Sequence, residues 1–278
     1  CEALGASQVA SISLKKCYLG PQAMSLLAAA TPKMASVTTL VLDEGELSGT
    51  KIQNKGNWNE SIEQLDANLS GFEALCLALA SSQIITLSLK KCYLGPQAIA
   101  LLADATSKMA SIARISVLSN PIGVEGATAL IDVYERNENL RTLLGIEEGV
   151  TELNLAEKQV DPGQAMVLAK ELQTGRATAS IVEVNVSLNN IGTDGAKALA
   201  KVIPDSSLQW VVIGAKSTRV PVHNSEVTSL NFQGQSLGPA EVIVIVAAMS
   251  TNGSVNTIVL SGCQITGSKN RMDGTGNW

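Results

Sequence analysis

The segment SLKKCYLGPQA, Ser13–Ala23, returns unchanged at Ser88–Ala98, 75 residues along the chain. The likeness spreads in both directions. KMAS at Lys33–Ser36 returns at Lys108–Ser111, and Cys1, Ala3 and Leu4 return as Cys76, Ala78 and Leu79. Self-similarity at a fixed offset is the mark of stacked units, each burying an apolar face against its neighbour. Composition agrees. The chain is 45% hydrophobic but only 3% aromatic, so its interior must be built from Leu, Ile, Val and Ala in thin, repeated layers.

Inside the block runs a shorter motif: apolar-x-apolar-x-x-(Asn or Cys)-x-apolar. Ile12, Leu14, Cys17 and Leu19 fit it, as do Leu87, Leu89, Cys92 and Leu94. Ile115, Val117, Asn120 and Ile122 follow, then Val184, Val186, Asn189 and Ile191, and Ile258, Leu260, Cys263 and Ile265. Leu153, Leu155, Lys158 and Val160 place a lysine at the polar position, and copies from Leu40 and Leu230 vary further. The alternating apolar residues predict a short strand with one face inward. The Asn or Cys then fills or hydrogen-bonds the space beneath a turn. Pro21, Pro96, Pro162 and Pro239 each stand two residues past the closing apolar position, where proline suits the first turn of a helix. The helices carry stripes such as Ala23, Leu26, Leu27, Ala30 and Ala127, Leu130, Ile131, Tyr134, the spacing of one amphipathic face.

With these residues in view, the chain resembles the leucine-rich-repeat family, in particular its ribonuclease-inhibitor-like branch. SLNNIGTDGAKALAKVI (Ser187–Ile203) and VLSNPIGVEGATALI (Val117–Ile131) are the segments most similar to that branch. The resemblance implies an α/β fold: a leucine-rich-repeat solenoid, or right-handed β/α horseshoe, with parallel strands on the concave face and helices on the convex face. Residues 1–278 are expected to form one such solenoid, open at both ends and part of a longer chain.

Three segments break the period. Residues 48–71 read as an inserted polar loop carrying Lys51, Lys55 and Trp58, and a related segment closes the chain at Thr266–Trp278. Residues 145–149 and 214–226 read as interruptions between an apolar run and the next repeat. Insertions in repeat arrays commonly gather on one face, often the binding face.

The net charge of −5 argues against a phosphate-backbone binder, which normally shows a basic stripe. The longest apolar run, near Val242–Met249, is far short of the roughly 18 residues a membrane span requires. The five cysteines show no CxxC spacing, and with one histidine, His223, they give no four-ligand zinc set. Cys17, Cys92 and Cys263 are expected to be buried structural residues, and free thiols suit a reducing, cytoplasmic setting. No nucleotide-binding, nucleophile-elbow or zinc-protease motif occurs, so neither catalysis nor a cofactor is expected.

The expected function is a protein–protein interaction scaffold, or recognition module, with a protein partner. Its candidate binding residues are the outward strand positions Lys15, Asp43, Lys90, Ser116, Asn154, Asn185 and Asn231, joined by Trp58 of the inserted loop. The alternatives are a GTPase-activating protein of the Ran-directed leucine-rich-repeat type, which would present polar residues to a nucleotide site, and a purely structural repeat spacer.

Overall fold

The computed structural model describes residues 8–55, 60–263 and 265. Strands and helices alternate along it. β1 (Ser11–Ser13) leads into α1 (Pro21–Ala30). β2 (Thr39–Val41) leads through a hairpin of β3 (Lys51–Gln53) and β4 (Ser61–Gln64) into α2 (Ser70–Leu79). β5 (Thr86–Ser88), α3 (Pro96–Lys108), β6 (Arg114–Ser116) and α4 (Gly123–Arg136) follow. Next come β7 (Glu152–Asn154), α5 (Pro162–Thr174), β8 (Glu183–Asn185) and α6 (Gly192–Val202). A second hairpin, β9 (Trp210–Ile213) and β10 (Thr218–Pro221), precedes β11 (Ser229–Asn231), α7 (Pro239–Met249) and β12 (Thr257–Val259).

The strands form small parallel sheets. β1, β2, β5 and β6 pair in that order, with Ile12, Leu40, Leu87 and Ile115 in register. β7, β8 and β9 pair likewise, and β10 folds back antiparallel on β9. β11 and β12 form a third parallel pair. Three-residue strands have no stability of their own. The aligned inward residues hold them, because a one-residue slip would expose all of these side chains at once. Leu40, Leu87, Ile115, Val184 and Leu230 are buried in one continuous aliphatic interior with the helices.

Two further devices stack the units. The first is the turn asparagine. Asn120 Nδ2 donates to the Leu89 and Val117 carbonyls at 2.7 and 2.8 Å, while its Oδ1 accepts from the Cys92 and Leu94 amides at 2.8 and 3.0 Å. Asn189 bonds the Leu155 and Val186 carbonyls and the Val160 amide in the same manner. Each asparagine thus satisfies the turn of the preceding unit, where buried backbone groups would otherwise lack partners. The second device is close helix approach. A Cβ on Gly71 would lie 1.8 Å from the Pro21 carbonyl oxygen, and one on Gly163 would lie 2.0 Å from that of Gly123. Only glycine permits α2 to sit so tightly on α1, and α5 on α4.

The interruptions are more structured than the sequence implies. Residues 48–71 contain the β3–β4 hairpin and the first two residues of α2 rather than one loop. Residues 214–226 contain β10, whose backbone caps the edge of β9. At residues 140–146 the first sheet ends. Thr142 bridges Arg114, and the amides of Leu143 and Leu144 then turn to Glu171 of α5. That carboxylate is fully buried; Oε1 accepts from both amides at 2.6 and 3.0 Å, and the Thr142 hydroxyl lies 2.9 Å from Oε2. Burial pushes the Glu171 carboxyl up to about 7 from its ordinary 4.5.

Several expected burials do not hold. Leu26 is 72% exposed, Cys17 is exposed although Cys92, at the same motif position, is fully buried, and Cys263 is only half-buried. Leu26 and Cys17 belong to the first unit, which no strand or helix precedes among the described residues, and Cys263 follows the last described strand.

Candidate functional site

Of the sequence-predicted residues, Ser116, Asn154, Asn185 and Asn231 end their strands as expected, whereas Lys15, Asp43 and Lys90 lie in the turns two residues past β1, β2 and β5 rather than in strands. Asp43 and Ser116 are buried. Asp43 Oδ1 accepts from the Ser88 hydroxyl at 2.6 Å and from the Lys90 amide at 2.9 Å, and the Ser116 hydroxyl donates to the Leu144 carbonyl at 3.0 Å. These two side chains fasten neighbouring units and are not free to meet a partner. Asn154, Asn185 and Asn231 accept from the amides of Ala156, Ser187 and Gln233, two residues on. They are turn formers at strand ends, the role short amide side chains fill best. Asn154 and Asn231 remain exposed and Asn185 half-buried. Lys15 is exposed, 3.6 Å from Glu44, and Lys90 is half-buried. Trp58 lies outside the described residues.

The strongest feature of the outward sheet face comes from residues outside that set. In the second sheet Glu152 pairs with Glu183, and Glu183 with Trp210; one step further, Asn154, Asn185, Val212 and Arg219 align. The Arg219 guanidinium lies 3.9 Å from the centre of the Trp210 ring and donates to Glu183 Oε2 from Nε at 2.9 Å and Nη2 at 2.6 Å. Stacking and ion pairing at such a surface contribute about 0.5–1 kcal/mol each. Their larger effect is to fix a planar cation and an indole in one geometry. Arg219 keeps 52% of its side-chain surface exposed while Glu183 keeps 20%, so the arginine is held from beneath and open above. Glu152, beside Glu183, is exposed and makes no ion pair among the described residues.

Sequence reasoning missed this cluster because Trp210 fell in a run read only as apolar and Arg219 in an interruption read as loop. A signal was present. WVVI, a turn at Gly214–Ser217 and TRVP form two β-rich runs joined by a short glycine-containing turn, which is a hairpin pattern.

A concavity of about 340 Å³ lies between the β3–β4 hairpin and the turns, lined by Glu60, Ile62, Tyr93, Asn120 and Asp161 among others. Tyr93 Oη donates to Glu60 Oε1 at 2.9 Å, and burial together with that carboxylate pushes the phenol up to about 12. Asp161 caps α5 through the Gln164 amide and also accepts from the Gly123 amide, while burial raises its carboxyl. These groups are engaged in holding the turns.

The thiols of Cys76 and Cys92 are pushed up to about 12, chiefly by burial, and so stay protonated and unreactive at neutral pH. His223 is exposed, its Nε2 3.0 Å from the Ser206 carbonyl oxygen. Among the described residues no three His, Cys, Asp or Glu side chains gather as a metal site requires, and no helix is long and apolar enough to cross a membrane.

A comparison with curated proteins returned no match. Residues 179–200, spanning β8, its turn and most of α6, match the family model described as Leucine Rich repeat, which supports a place for this chain in a leucine-rich-repeat family.

Proposed function

We propose that this chain is a protein-interaction module of the ribonuclease-inhibitor-like leucine-rich-repeat type. In this reading it is an open α/β horseshoe whose concave, strand-lined face receives a protein partner. The matched repeat supports interaction in general. The Trp210–Arg219–Glu183 cluster carries the more specific reading. Tryptophan and arginine are the residues most enriched where binding energy concentrates, and here both are fixed before any partner arrives. Partner contact is therefore centred on β7–β10, with Glu152 and Asn154 at its rim. The free cysteines among the described residues fit a reducing, cytoplasmic location.

The test uses the chain as bait in quantitative affinity capture, with two variants beside it. One is Trp210→Ala with Arg219→Ala. The other is Leu77→Ser, a change at an exposed helix position on the opposite layer. A near-stoichiometric partner should bind the wild type and the Leu77 variant equally. It should be lost by the double variant, since two hot-spot truncations of about 2 kcal/mol each weaken binding several-hundred-fold. Equal capture by all three baits refutes the placement.

A further inference from the structure

The β9–β10 hairpin places two unlike side chains on one surface. Side chains alternate along its strands, so Val211, Ile213 and Val220 point inward and are buried, while Trp210 and Arg219 share the outward face. Trp210 stands opposite Pro221 and Arg219 opposite Val212, which makes the tryptophan and the arginine diagonal neighbours. Long and aromatic side chains reach each other across such a diagonal. Their register partners Val212 and Pro221 are apolar and buried.

A guanidinium offers two flat faces and a rim of N–H donors. In Arg219 one face is taken, since Cζ lies 3.9 Å from the centre of the Trp210 ring. Part of the rim is taken as well, because Nε and Nη2 both engage Glu183 Oε2. No second ring among the described residues stacks on the other face, and the side chain keeps 52% of its surface exposed. Arg176 shows the contrast. It too lies over a ring, that of Tyr134 at 4.3 Å, but it is half-buried and its Nη1 donates to the Tyr134, Asn137 and Leu140 carbonyls. Arg176 thereby closes the end of α4. Arg219 bonds no backbone carbonyl among the described residues, so its stack fastens no neighbouring unit in that way.

Taking partner contact to be centred on this cluster, as proposed above, we infer that the partner presents an aromatic side chain that lies flat on the open face of Arg219. An indole–guanidinium–arene stack results. The face of a guanidinium is weakly hydrated, and a ring quadrupole attracts the cation, so an arene gains contact there while displacing little bound water. Charge disfavours an acidic group at the same place. Glu183 already offsets Arg219, and Glu152, its register neighbour on β7, is exposed and makes no ion pair among the described residues. A third carboxylate would join two that already share one guanidinium. A basic group would gain Glu152 but meet the Arg219 charge at the open face itself. Preorganisation favours the stack further. Trp210 and Glu183 hold Arg219 before the partner arrives, so its side chain has little freedom left to lose.

Selection of a random peptide library on the full chain tests this, with depletion on the chain carrying both Trp210→Ala and Arg219→Ala. Enriched peptides are then titrated by fluorescence anisotropy. They should share one Trp, Tyr or Phe. Changing that residue to Leu should weaken binding about five- to tenfold. Arg219→Lys keeps the charge but lacks the flat face, and should weaken the aromatic peptide by a similar factor. The two losses should not multiply when combined, because both remove one contact. Glu152→Gln should not weaken binding. Cluster-dependent peptides that share an acidic residue instead overturn the aromatic inference and leave the binding face where it is proposed. So do peptides that share a basic residue and are lost on Glu152→Gln, or aromatic peptides for which the two losses multiply. A selection that yields no peptide preferring the wild type over the double variant refutes the binding face and this inference together.

Discussion

Replacing Glu171 with Gln tests how the first sheet is ended. The carboxylate sits fully buried between α5 and residues 142–144, and the Leu143 and Leu144 amides and the Thr142 hydroxyl point at it. A glutamine keeps the same shape. Its carbonyl accepts from both amides, and its amide donates to the threonine hydroxyl. What it removes is the charge. Because burial moves the carboxyl from 4.5 to about 7, the folded chain holds this proton more tightly than the unfolded one. The associated stability is complete below about pH 4.5 and is lost as pH rises through about 7. The full difference is about 3 kcal/mol, taking 1.36 kcal/mol for each pH unit. Urea unfolding of wild type and Glu171→Gln at intervals from pH 4 to pH 8.5 measures it. The two should be nearly equal at pH 4, with the variant gaining up to about 3 kcal/mol on the wild type by pH 8. A variant that is less stable at pH 8 would show that the negative charge itself holds residues 142–144, and the reasoning would fail.

Other substitutions probe the stacking. Asn120→Ala strands the buried amides of Cys92 and Leu94 and two carbonyls, and should cost about 2–4 kcal/mol in chemical denaturation. Gly163→Ala and Gly234→Ala separate two roles of glycine. The first drives a methyl into the Gly123 carbonyl and should cost more than about 3 kcal/mol, as overpacking against backbone does at its worst. The second meets open space at a φ of +65° and should cost only about 1 kcal/mol, the strain of a left-handed alanine. Equal losses would contradict the close helix approach. Arg219→Ala alone should change thermal stability by less than about 1 kcal/mol, since its ion pair and stack are at the surface.

The repeat was legible because its signals are local. Inward residues such as Leu87 and Ile115 recur at fixed spacing, and the prolines that open α1, α3, α5 and α7 mark the helix starts. Asn120 and Asn189 behave as their motif position predicts, since a buried turn leaves few other partners. Ser116 was legible as a strand position and Asp43 only as lying near a strand end, and neither was legible as buried. Their neighbours Ser88, Lys90 and Leu144 lie up to 47 residues away, and only the register brings them together. Trp210, Arg219 and Glu183 meet for the same reason, through two pairings that no single segment encodes. Leu26 and Cys17 match their repeat partners in sequence and differ in exposure, because exposure belongs to the neighbouring unit rather than to the residue.

Hydroxyl-radical footprinting of the Trp210 side chain, with and without the captured partner, addresses the binding face itself. Oxidation of Trp210 should fall on partner binding while that of the exposed Leu77 and Tyr18 stays constant. Unchanged Trp210 oxidation in a complex that protects the helical layer instead would place the partner on the opposite side of the molecule.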